Sequence, residues 1–233
     1  MKSGFDINFI EGDGYLVLPL SMARLAGGQT PKETYETFHH FIKKLKNYSS
    51  DIVLLYTNGL YFNAENLTYE QRLKSNKQVL NHISELRNLI QSKKEFIPGA
   101  FHFLPIDYVI LNSPHFRDFF ATLKKREKED KKFQKAIKND LGKRDYNEAN
   151  VNFILEEMAV AHIIRQRLVE FPRTLVRNDM WRLVSYPGKY LEADLYQWSH
   201  KILPQEDKIN PYNGAQYDFL QKKLFVFDGE KSL

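Results

Sequence analysis

Tyr15-Leu16-Val17-Leu18-Pro19-Leu20 is a short apolar run that follows Gly12 and Gly14 and precedes a loop over residues 21–28. An apolar run of this length between turn-forming residues predicts a buried β-strand. A second run, Ile52-Val53-Leu54-Leu55-Tyr56, comes after a segment with helical periodicity, and a long helical segment follows it. Because strands alternate with helices, we expect parallel strands with helical crossovers. This is an α/β fold with loops at the carboxyl edge of its sheet.

Helix and strand signals continue along the chain. Thr30-Pro31-Lys32-Glu33 predicts a helix start, because it combines a capping box with proline at the first helical position. A long helix is predicted after the second strand, and its apolar residues are Leu73, Val79, Leu80, Ile83, Leu86 and Ile90. The other predicted elements are a strand at Tyr108–Leu111, one helix over 116–139, a helix over 147–168, a strand at Leu183–Tyr186, an irregular tail from Pro204 and a last apolar run at Leu224–Phe227. No repeat or long linker divides the chain, so we expect a single domain over residues 1–233.

The composition is that of a globular protein without disulfides. The chain has 233 residues, of which 42% are hydrophobic and 27% are charged. Its apolar runs are far shorter than the roughly 20 residues that cross a bilayer, and Asp6 stands where a secretory signal would be apolar. The absence of cysteine excludes disulfides, iron–sulfur clusters, thiolate zinc sites and cysteine nucleophiles. We therefore expect a cytoplasmic protein that makes no membrane contact.

Positive charge is concentrated in two segments, although the net charge of the whole chain is only +5. Between Lys124 and Arg144 there are ten basic and four acidic residues, a local surplus of +6. Between Arg72 and Lys94 there are six basic residues and the single acid Glu85. A local surplus of this kind is typical of a surface that binds a polyanion, and it is also found on ordinary solvated helix faces.

Common nucleotide and metal motifs are missing from the sequence. The chain has no G-x-x-x-x-G-K-S/T loop, no G-x-G-x-x-G after its first strand and no H-E-x-x-H. The adjacent residues His39 and His40 are expected on different faces of a helix, where they cannot chelate one metal. His162 lies in an apolar helix and is expected to be a hydrogen-bonded core residue. We expect neither a metal nor an organic cofactor.

Two polar residues occupy informative positions at strand ends. Ser21 follows the first strand, at the edge where a doubly wound sheet binds its ligands, although a serine there is also a common turn residue. Tyr186 ends a predicted strand and precedes Pro187, which holds the tyrosine backbone extended. Each feature alone is common in proteins, so it is their combination with a third residue that carries information.

The third residue is Glu157, in the helical segment Val151–Ile164, which is apolar nearly all round. Glu157 shares its face with apolar residues, so its carboxyl group is expected to be neutral, to be paired, or to await a cationic ligand. Arg165 and Arg177 are the candidate partners if the carboxylate is paired. The sequence leaves these alternatives open.

Taken in order, three segments resemble the tRNA-dependent cyclodipeptide synthases, in the subgroup whose second catalytic tyrosine is followed by proline. Leu18–Arg24 is similar to the segment where the family has its nucleophilic serine, and Phe153–Ala159 resembles the tyrosine-x-x-x-glutamate helix. Tyr186-Pro187 looks like the second tyrosine and its proline. This subgroup lacks the asparagine that the other branch has three residues after the serine, and Arg24 stands there in this chain. Phe153 departs from the family pattern because it lacks the hydroxyl of the usual tyrosine.

The resemblance implies a Rossmann-like domain with a mostly parallel sheet flanked by helices, similar to the catalytic domain of class I aminoacyl-tRNA synthetases. The synthetase signatures H-I-G-H and K-M-S-K-S are absent, as expected if amino acids arrive already esterified to tRNA. The implied reaction joins two aminoacyl-tRNAs into a cyclic dipeptide by a ping-pong route, without a cofactor and in a monomer.

The resemblance also implies roles for individual residues. Ser21 would be acylated, Glu157 would bind the amino group of the aminoacyl moiety and accept its proton, and Tyr186 would relay a proton during ring closure. The implied substrate-binding residues are Pro19, Phe153, Pro187 and Arg24. The implied tRNA-binding residues are Arg72, Lys74, Lys77, Arg87, Lys93 and Lys94, and the segment Lys124–Arg144 is a second candidate on charge alone.

Two other functions are compatible with the sequence. The chain would be an RNA-binding module if it kept this fold and charge without the chemistry. It would be a serine-dependent acyltransferase or hydrolase if Ser21 acted on small esters. Formation of a ring product that depends on Ser21 separates both from the synthase.

Overall fold

Strands and helices alternate through most of the chain. The computed structural model describes residues 13–44, 49–60, 67–93, 100–172, 181–186, 191–204, 214–218 and 223–226. The described strands are β1 (Asp13–Leu20), β2 (Ser49–Tyr56), β3 (Phe101–Pro105), β4 (Trp181–Tyr186), β5 (Gly214–Asp218) and β6 (Lys223–Val226). The described α-helices are α1 (Pro31–Lys44), α2 (Tyr69–Ser92), α3 (Asp107–Asn112), α4 (Phe116–Glu129), α5 (Lys131–Leu141), α6 (Glu148–Arg165) and α7 (Glu192–Ser199).

The six strands form one sheet in the order β3-β2-β1-β4-β5-β6. All neighbouring strands are parallel except β5 and β6, which are antiparallel. Along the chain, β2 and then β3 are added on one side of β1, and β4 then pairs with the other side of β1. Order therefore reverses between β1 and β4, and the carboxyl edge at such a reversal is where open α/β sheets bind ligands.

Alternation along the strands separates two cores. Leu16, Leu18 and Leu20 of β1 lie in a core with α1 and α2 on one side of the sheet. Val17 of β1 and Val53 and Leu55 of β2 lie in the other core, which α3 to α7 cover. Because successive side chains of a strand point to opposite faces, odd-numbered residues of β1 face the α3–α7 side.

Several sequence-based predictions are confirmed. Helix α1 begins at Pro31, and the capping box closes as predicted: the Thr30 N–H donates to Glu33 Oε2 at 2.8 Å and the Glu33 N–H donates to Thr30 Oγ1 at 3.3 Å. His162 is a buried core residue whose Nε2 lies 2.8 Å from the carbonyl oxygen of Pro204. Burial lowers the pKa of His162 to about 4, so the ring is neutral at physiological pH.

The third strand was predicted in the wrong place. Tyr108–Leu111 lies inside the short helix α3, and the strand is Phe101–Pro105. A run of four apolar residues is too short to distinguish the periodicity of a helix from that of a strand. In the structure only Val109 of this run is buried, and Leu111 is 82% exposed. An exposed leucine at the end of the run is compatible with a helix that packs one narrow face.

Two helices and the tail also differ from the sequence-based predictions. The segment predicted as one helix over 116–139 is divided between α4 and α5, because Asp130 is extended and caps α5. Helix α2 packs through Ser75, Val79, His82 and Leu86, and its residues Leu73 and Leu80 are 50% and 65% exposed. The tail after Pro204 contributes β5 and β6 to the sheet. Among the described helices, none has the length and apolar character needed to cross a bilayer.

Candidate functional site

Ser21 and Tyr186 come at the carboxyl ends of the two strands that flank the reversal of strand order. Strand β1 ends at Leu20, directly before Ser21, and β4 ends at Tyr186. The two strands are paired in parallel up to Val17 and Val184, so their ends lie side by side. The structure describes the backbone of Tyr186, whereas its side chain and Pro187 are outside the described residues.

Ser21 is held in a turn, and its side chain is not used to cap that turn. It precedes a 3₁₀ helix, Met22–Arg24, and its φ of −82° and ψ of 129° are extended. No side-chain capping hydrogen bond forms there, although capping is the usual reason for a serine before a helix. Because Ser21 continues the extended backbone of β1, alternation places it on the same face of the sheet as Val17 and Pro19.

A cavity opens on this face at the carboxyl edge of the sheet. It holds about 600 Å³ of empty space, part of which is open to solvent. Its wall is formed by Pro19, Leu55, Thr57, Ile106, Glu157, Met158, Val160, Ala161, Ile164, Arg165, Leu191 and Asp194. The structure thus brings the predicted residues Pro19 and Glu157 into one cavity. Ser21 is not itself in the wall but follows Pro19 by two residues on the same side.

Glu157 has an unusual protonation equilibrium. Burial raises the pKa of its carboxyl group from 4.5 to about 7, and the positive charges of Arg144 and Arg24 oppose this rise. Near neutral pH the protonated and the ionised forms of this carboxyl group are therefore both present in substantial amounts. Arg24 follows Ser21 by three residues, so its electrostatic effect on Glu157 also connects the Ser21 turn with helix α6.

The predicted alternative pairing of Glu157 with Arg165 does not occur. Arg165 instead forms a buried, bidentate ion pair with Asp194 of α7, with N–O distances of 3.0 Å and 2.6 Å. Arg177, the other predicted partner, lies outside the described residues. Within the described ranges Glu157 makes no ion pair, and it lines a cavity whose other wall residues are apolar except for Thr57 and the Arg165–Asp194 ion pair.

Phe153 lies one helical turn before Glu157 but is not in the cavity wall. It is buried, and the guanidinium carbon of Arg144 lies 5.1 Å from the centre of its ring. This is a cation–π arrangement. Arg144 therefore contacts Phe153 and also acts on the charge of Glu157, so it belongs to the surroundings of the site. Because residue 153 is phenylalanine, this position carries no hydroxyl group.

Four of the predicted tRNA-binding residues, Arg72, Lys74, Lys77 and Arg87, are on helix α2, across the sheet from the cavity wall formed by α6, and Lys93 directly follows the helix. Arg72, Lys74, Lys77, Arg87 and Lys93 are all exposed, and Lys94 is outside the described residues. Two of them also have structural contacts: Arg72 Nε donates to the Leu67 carbonyl at 3.0 Å, and the Arg87 guanidinium lies 4.6 Å from the Phe103 ring centre.

Sequence reasoning missed four residues of the site region: Thr57, Gln29, Arg144 and Asp194. Thr57 follows β2 as Ser21 follows β1, so its position at the carboxyl edge was the available signal. Asp194 gave no local signal, since its partner Arg165 lies on another helix. In the part of the chain that is described, no group of three or more His, Cys, Asp and Glu side chains could hold a metal ion.

Comparison of the structure with solved structures identifies similar folds. A cyclodipeptide synthase from Fluoribacter dumoffii is 16% identical, with 84% of this chain and 86% of that chain aligned and a TM-score of 0.57. One from Staphylococcus haemolyticus is 14% identical, with 84% and 86% aligned and a TM-score of 0.55. One from Mycobacterium tuberculosis is 11% identical, with 92% and 86% aligned and a TM-score of 0.51; its structure relates cyclodipeptide synthetases to type I tRNA synthetases.

At these identities the comparison establishes the fold. The chain has a Rossmann-like α/β architecture of the kind seen in class I aminoacyl-tRNA synthetases, which confirms the predicted fold class. No protein-family model and no curated protein sequence matches the chain.

Proposed function

We propose that this protein is an aminoacyltransferase that makes a cyclic dipeptide from two aminoacyl-tRNAs. The observation that carries the proposal is Glu157, an acid with a pKa of about 7 in a mostly apolar cavity. Pro19, two residues before Ser21, lines the same cavity. Similar folds occur in proteins named as cyclodipeptide synthases, and this supports the same chemistry here. An RNA-binding module would not need an acid of this kind.

Ser21 is the proposed nucleophile. Its hydroxyl oxygen attacks the ester carbonyl carbon of the first aminoacyl-tRNA; the new Ser21 ester forms, the bond to the terminal ribose oxygen breaks, and the serine proton passes to that oxygen. One ester replaces another, so the step needs no ATP. The covalent intermediate divides one difficult condensation into easier steps.

Glu157 is proposed to handle the amino group of the aminoacyl moiety. As a carboxylate it attracts the ammonium form in surroundings of low polarity, where charge interactions are strong. By accepting one proton it converts the ammonium into a nucleophilic amine. A pKa of about 7 matches this task, because a general base works best when its pKa is near the working pH.

A second aminoacyl-tRNA then extends the chain on the serine. Its ester carbonyl is attacked by the amine of the aminoacyl-Ser21, which gives a dipeptidyl ester and frees the second tRNA. The new terminal amine attacks the Ser21 ester carbonyl, the ring closes, and the serine oxygen regains its proton. Tyr186 is the proposed proton relay in this closure. Its place at the end of β4, beside β1, agrees with this role.

Substrate contacts are proposed around these three residues. Pro19 forms part of the cavity wall, and Arg24 lies near enough to Glu157 to act on its charge. Phe153 and Pro187 remain proposed substrate contacts by position. The basic face of α2 is proposed to bind the tRNA backbone through non-specific, salt-dependent contacts.

The test is expression in a bacterial culture and analysis of the medium for cyclic dipeptides by mass spectrometry. The proposal predicts a cyclic dipeptide with the wild-type protein and none with Ser21→Ala. Ser199→Ala is the matched control, because Ser199 is also half-buried but lies in α7, where its hydroxyl donates to the Tyr196 carbonyl at 3.0 Å. Product from Ser21→Ala, or none from the wild type, contradicts the proposal.

Assays with purified protein separate the two other functions. A non-catalytic RNA-binding module would bind tRNA equally well with and without Ser21→Ala and would give no product. A serine hydrolase would release free acid from simple activated esters in the absence of tRNA.

A further inference from the structure

Three buried polar side chains lie behind the Ser21 turn. Tyr56 ends β2, His82 is in the middle of α2, and Gln29 is in the loop before α1. Their exposures are 2%, 4% and 0%. Buried polar groups at three separate points of the chain are costly unless they hydrogen-bond to one another.

Hydrogen bonds through these three residues lead to Ser21, and they involve both the backbone carbonyl and the side chain of Gln29. The Tyr56 hydroxyl lies 2.9 Å from His82 Nδ1, and His82 Nε2 lies 2.9 Å from the Gln29 carbonyl oxygen. The Ser21 N–H donates to the side-chain oxygen Oε1 of Gln29 at 2.6 Å.

The chemistry of the partners fixes the direction of each bond. A backbone carbonyl can only accept, so Nε2 of His82 carries the proton. In the neutral ring Nδ1 is then the acceptor for the Tyr56 hydroxyl, and burial favours the neutral ring because it lowers the pKa of His82. The atom of the Gln29 amide that receives the Ser21 N–H must likewise be oxygen.

We propose that Gln29 is a positioning residue for the Ser21 hydroxyl and that His82 and Tyr56 hold Gln29 in place. The inference rests on the proposed function, because it assigns a task to the groups that surround the nucleophile. Gln29 touches neither substrate nor reacting atoms in this scheme; it acts through the backbone of Ser21.

The backbone around Ser21 shows why one more anchor matters. The Ser21 carbonyl accepts from the Arg24 N–H at 2.9 Å, and the Leu20 carbonyl accepts from both the N–H and the hydroxyl of Thr57, at 3.0 Å and 3.1 Å. The Ser21 N–H belongs to the same peptide group as the Leu20 carbonyl, so its bond to Gln29 Oε1 holds the second polar atom of that group. With both peptide groups of Ser21 bound, the direction of its Cα–Cβ bond is set by the fold.

The loop is shaped to bring Gln29 back to this place. Gly28 has a φ of +91°, in the region that favours glycine, and the Gln29 N–H donates to the Arg24 carbonyl at 3.0 Å. Thr34 adds a hydrogen bond from its hydroxyl to the Gln29 carbonyl at 3.3 Å. The loop from Ser21 to Gln29 is thus closed by two hydrogen bonds, one from the Ser21 N–H to the Gln29 side chain and one from the Gln29 N–H to the Arg24 carbonyl.

The test compares Gln29→Met with Gln197→Met. Both glutamines have an exposure of 0% and the substitution is the same, but Gln197 lies in α7 against His162 and outside the cavity wall. The first measurement is the single-turnover rate of acyl-enzyme formation with aminoacyl-tRNA, followed by mass spectrometry of the intact protein. The second is the hydrogen exchange of the Ser21 amide by NMR.

We expect Gln29→Met to slow acylation by about 10- to 100-fold, the effect of a small misplacement of a reacting group, with unchanged tRNA affinity. The Ser21 amide should lose its protection at the same time. Gln197→Met should change neither quantity. Tyr56→Phe, which removes only the distant hydroxyl, should give a smaller decrease in the same direction. Gln29→Glu keeps an acceptor oxygen, so its Ser21 should be acylated faster than that of Gln29→Met. If the Gln29→Met protein does not fold, Gln29→Glu is used as the test variant instead.

The outcomes separate this inference from the proposed function. Normal acylation by Gln29→Met, or equal losses in Gln29→Met and Gln197→Met, overturns the positioning role. If the wild-type protein forms no acyl-enzyme, the proposed function fails, and the Ser21 amide exchange alone then decides whether Gln29 holds this turn: unchanged protection in Gln29→Met overturns the inference.

Discussion

At the scale of single residues, Glu157 is expected to cost the protein stability. The folded carboxyl group has a pKa of about 7 against an ordinary 4.5. Between these pH values the folded state therefore binds more protons than the unfolded state, and the free energy of unfolding falls as pH rises. Each pKa unit corresponds to about 1.4 kcal/mol, so the full cost above pH 7 is about 3 kcal/mol.

Glu157→Gln should remove this cost together with the activity. We expect the variant to be more stable than the wild type at pH 8, by up to about 3 kcal/mol, and equally stable at pH 4, while making no cyclic dipeptide. Urea unfolding at the two pH values measures the difference. Glu148→Gln is the control, because an ion pair with Lys124 lowers the pKa of Glu148 and its removal should not stabilise the protein. A stability difference independent of pH would contradict the buried-acid explanation.

The two arginines near Glu157 should set the pH dependence of the proposed acyl transfer. Both lower the pKa of Glu157, Arg144 more than Arg24. Arg144→Gln should therefore raise that pKa and move the acid limb of the pH–rate profile for acyl transfer to higher pH, and Arg24→Gln should do so less. Arg144→Lys keeps the charge and is the control. Equal profiles for Arg144→Gln and the wild type would show that the charge of Arg144 does not reach the carboxyl group.

Some of these residues could be predicted from the sequence and others could not, because only some of the signals are local. Glu157 was predictable because a carboxylate on an apolar helix face is conspicuous within one segment. Its true surroundings were not, since the Arg165–Asp194 ion pair and the Gln29–His82–Tyr56 series join residues far apart in the chain. Only the tertiary fold determines which distant polar groups meet.

At the scale of secondary structure, strands and helix starts were predictable where the signal is local. Strand β1 and the start of α1 were found because a bounded apolar run and a capping box each lie within a few residues. The third strand was misplaced because Tyr108–Leu111 is too short for its period to distinguish a helix from a strand. The packed side of α2 does not follow from its apolar residues alone, because His82 and Ser75, and not Leu73 and Leu80, face the core.

The break between α4 and α5 makes Asp130 important for stability. Its carboxylate accepts hydrogen bonds from the N–H groups of Lys132 and Phe133, at 2.9 Å and 3.2 Å, and from the Tyr196 hydroxyl at 2.9 Å. Asp130→Ala should lower the free energy of unfolding by about 1 kcal/mol or more, because a helix cap is lost. Asp130→Asn keeps an acceptor and should lose less than half as much in urea unfolding. Equal losses would assign the effect to the ion pair of Asp130 with Arg126 instead.

At the scale of the whole molecule, the direction of α2 divides its basic residues into two groups. The helix has 24 residues and is therefore about 36 Å long. It starts after β2, at the carboxyl edge of the sheet, where Asn58 Nδ2 donates to Asn76 Oδ1 at 3.2 Å next to the cavity residue Thr57. It ends at the opposite edge. Lys74 and Lys77 thus lie near the cavity edge, and Lys93 lies far from it.

In the proposed function an aminoacyl-tRNA places its acyl end in the cavity, so its backbone should pass over the first half of α2. Lys74→Gln and Lys77→Gln should each weaken tRNA binding and reduce the slope of log affinity against log salt by roughly 0.8, the effect of losing about one phosphate contact. Lys93→Gln, at an exposed lysine directly after the end of the same helix, is the matched control and should leave the slope unchanged. Filter binding of aminoacyl-tRNA over a range of salt concentrations measures all three variants.

Equal effects in all three would mean that the RNA follows the whole helix. No effect in any of them would exclude α2 and leave the segment Lys124–Arg144 as the binding surface, on the side of the sheet where Arg144 already acts on Glu157.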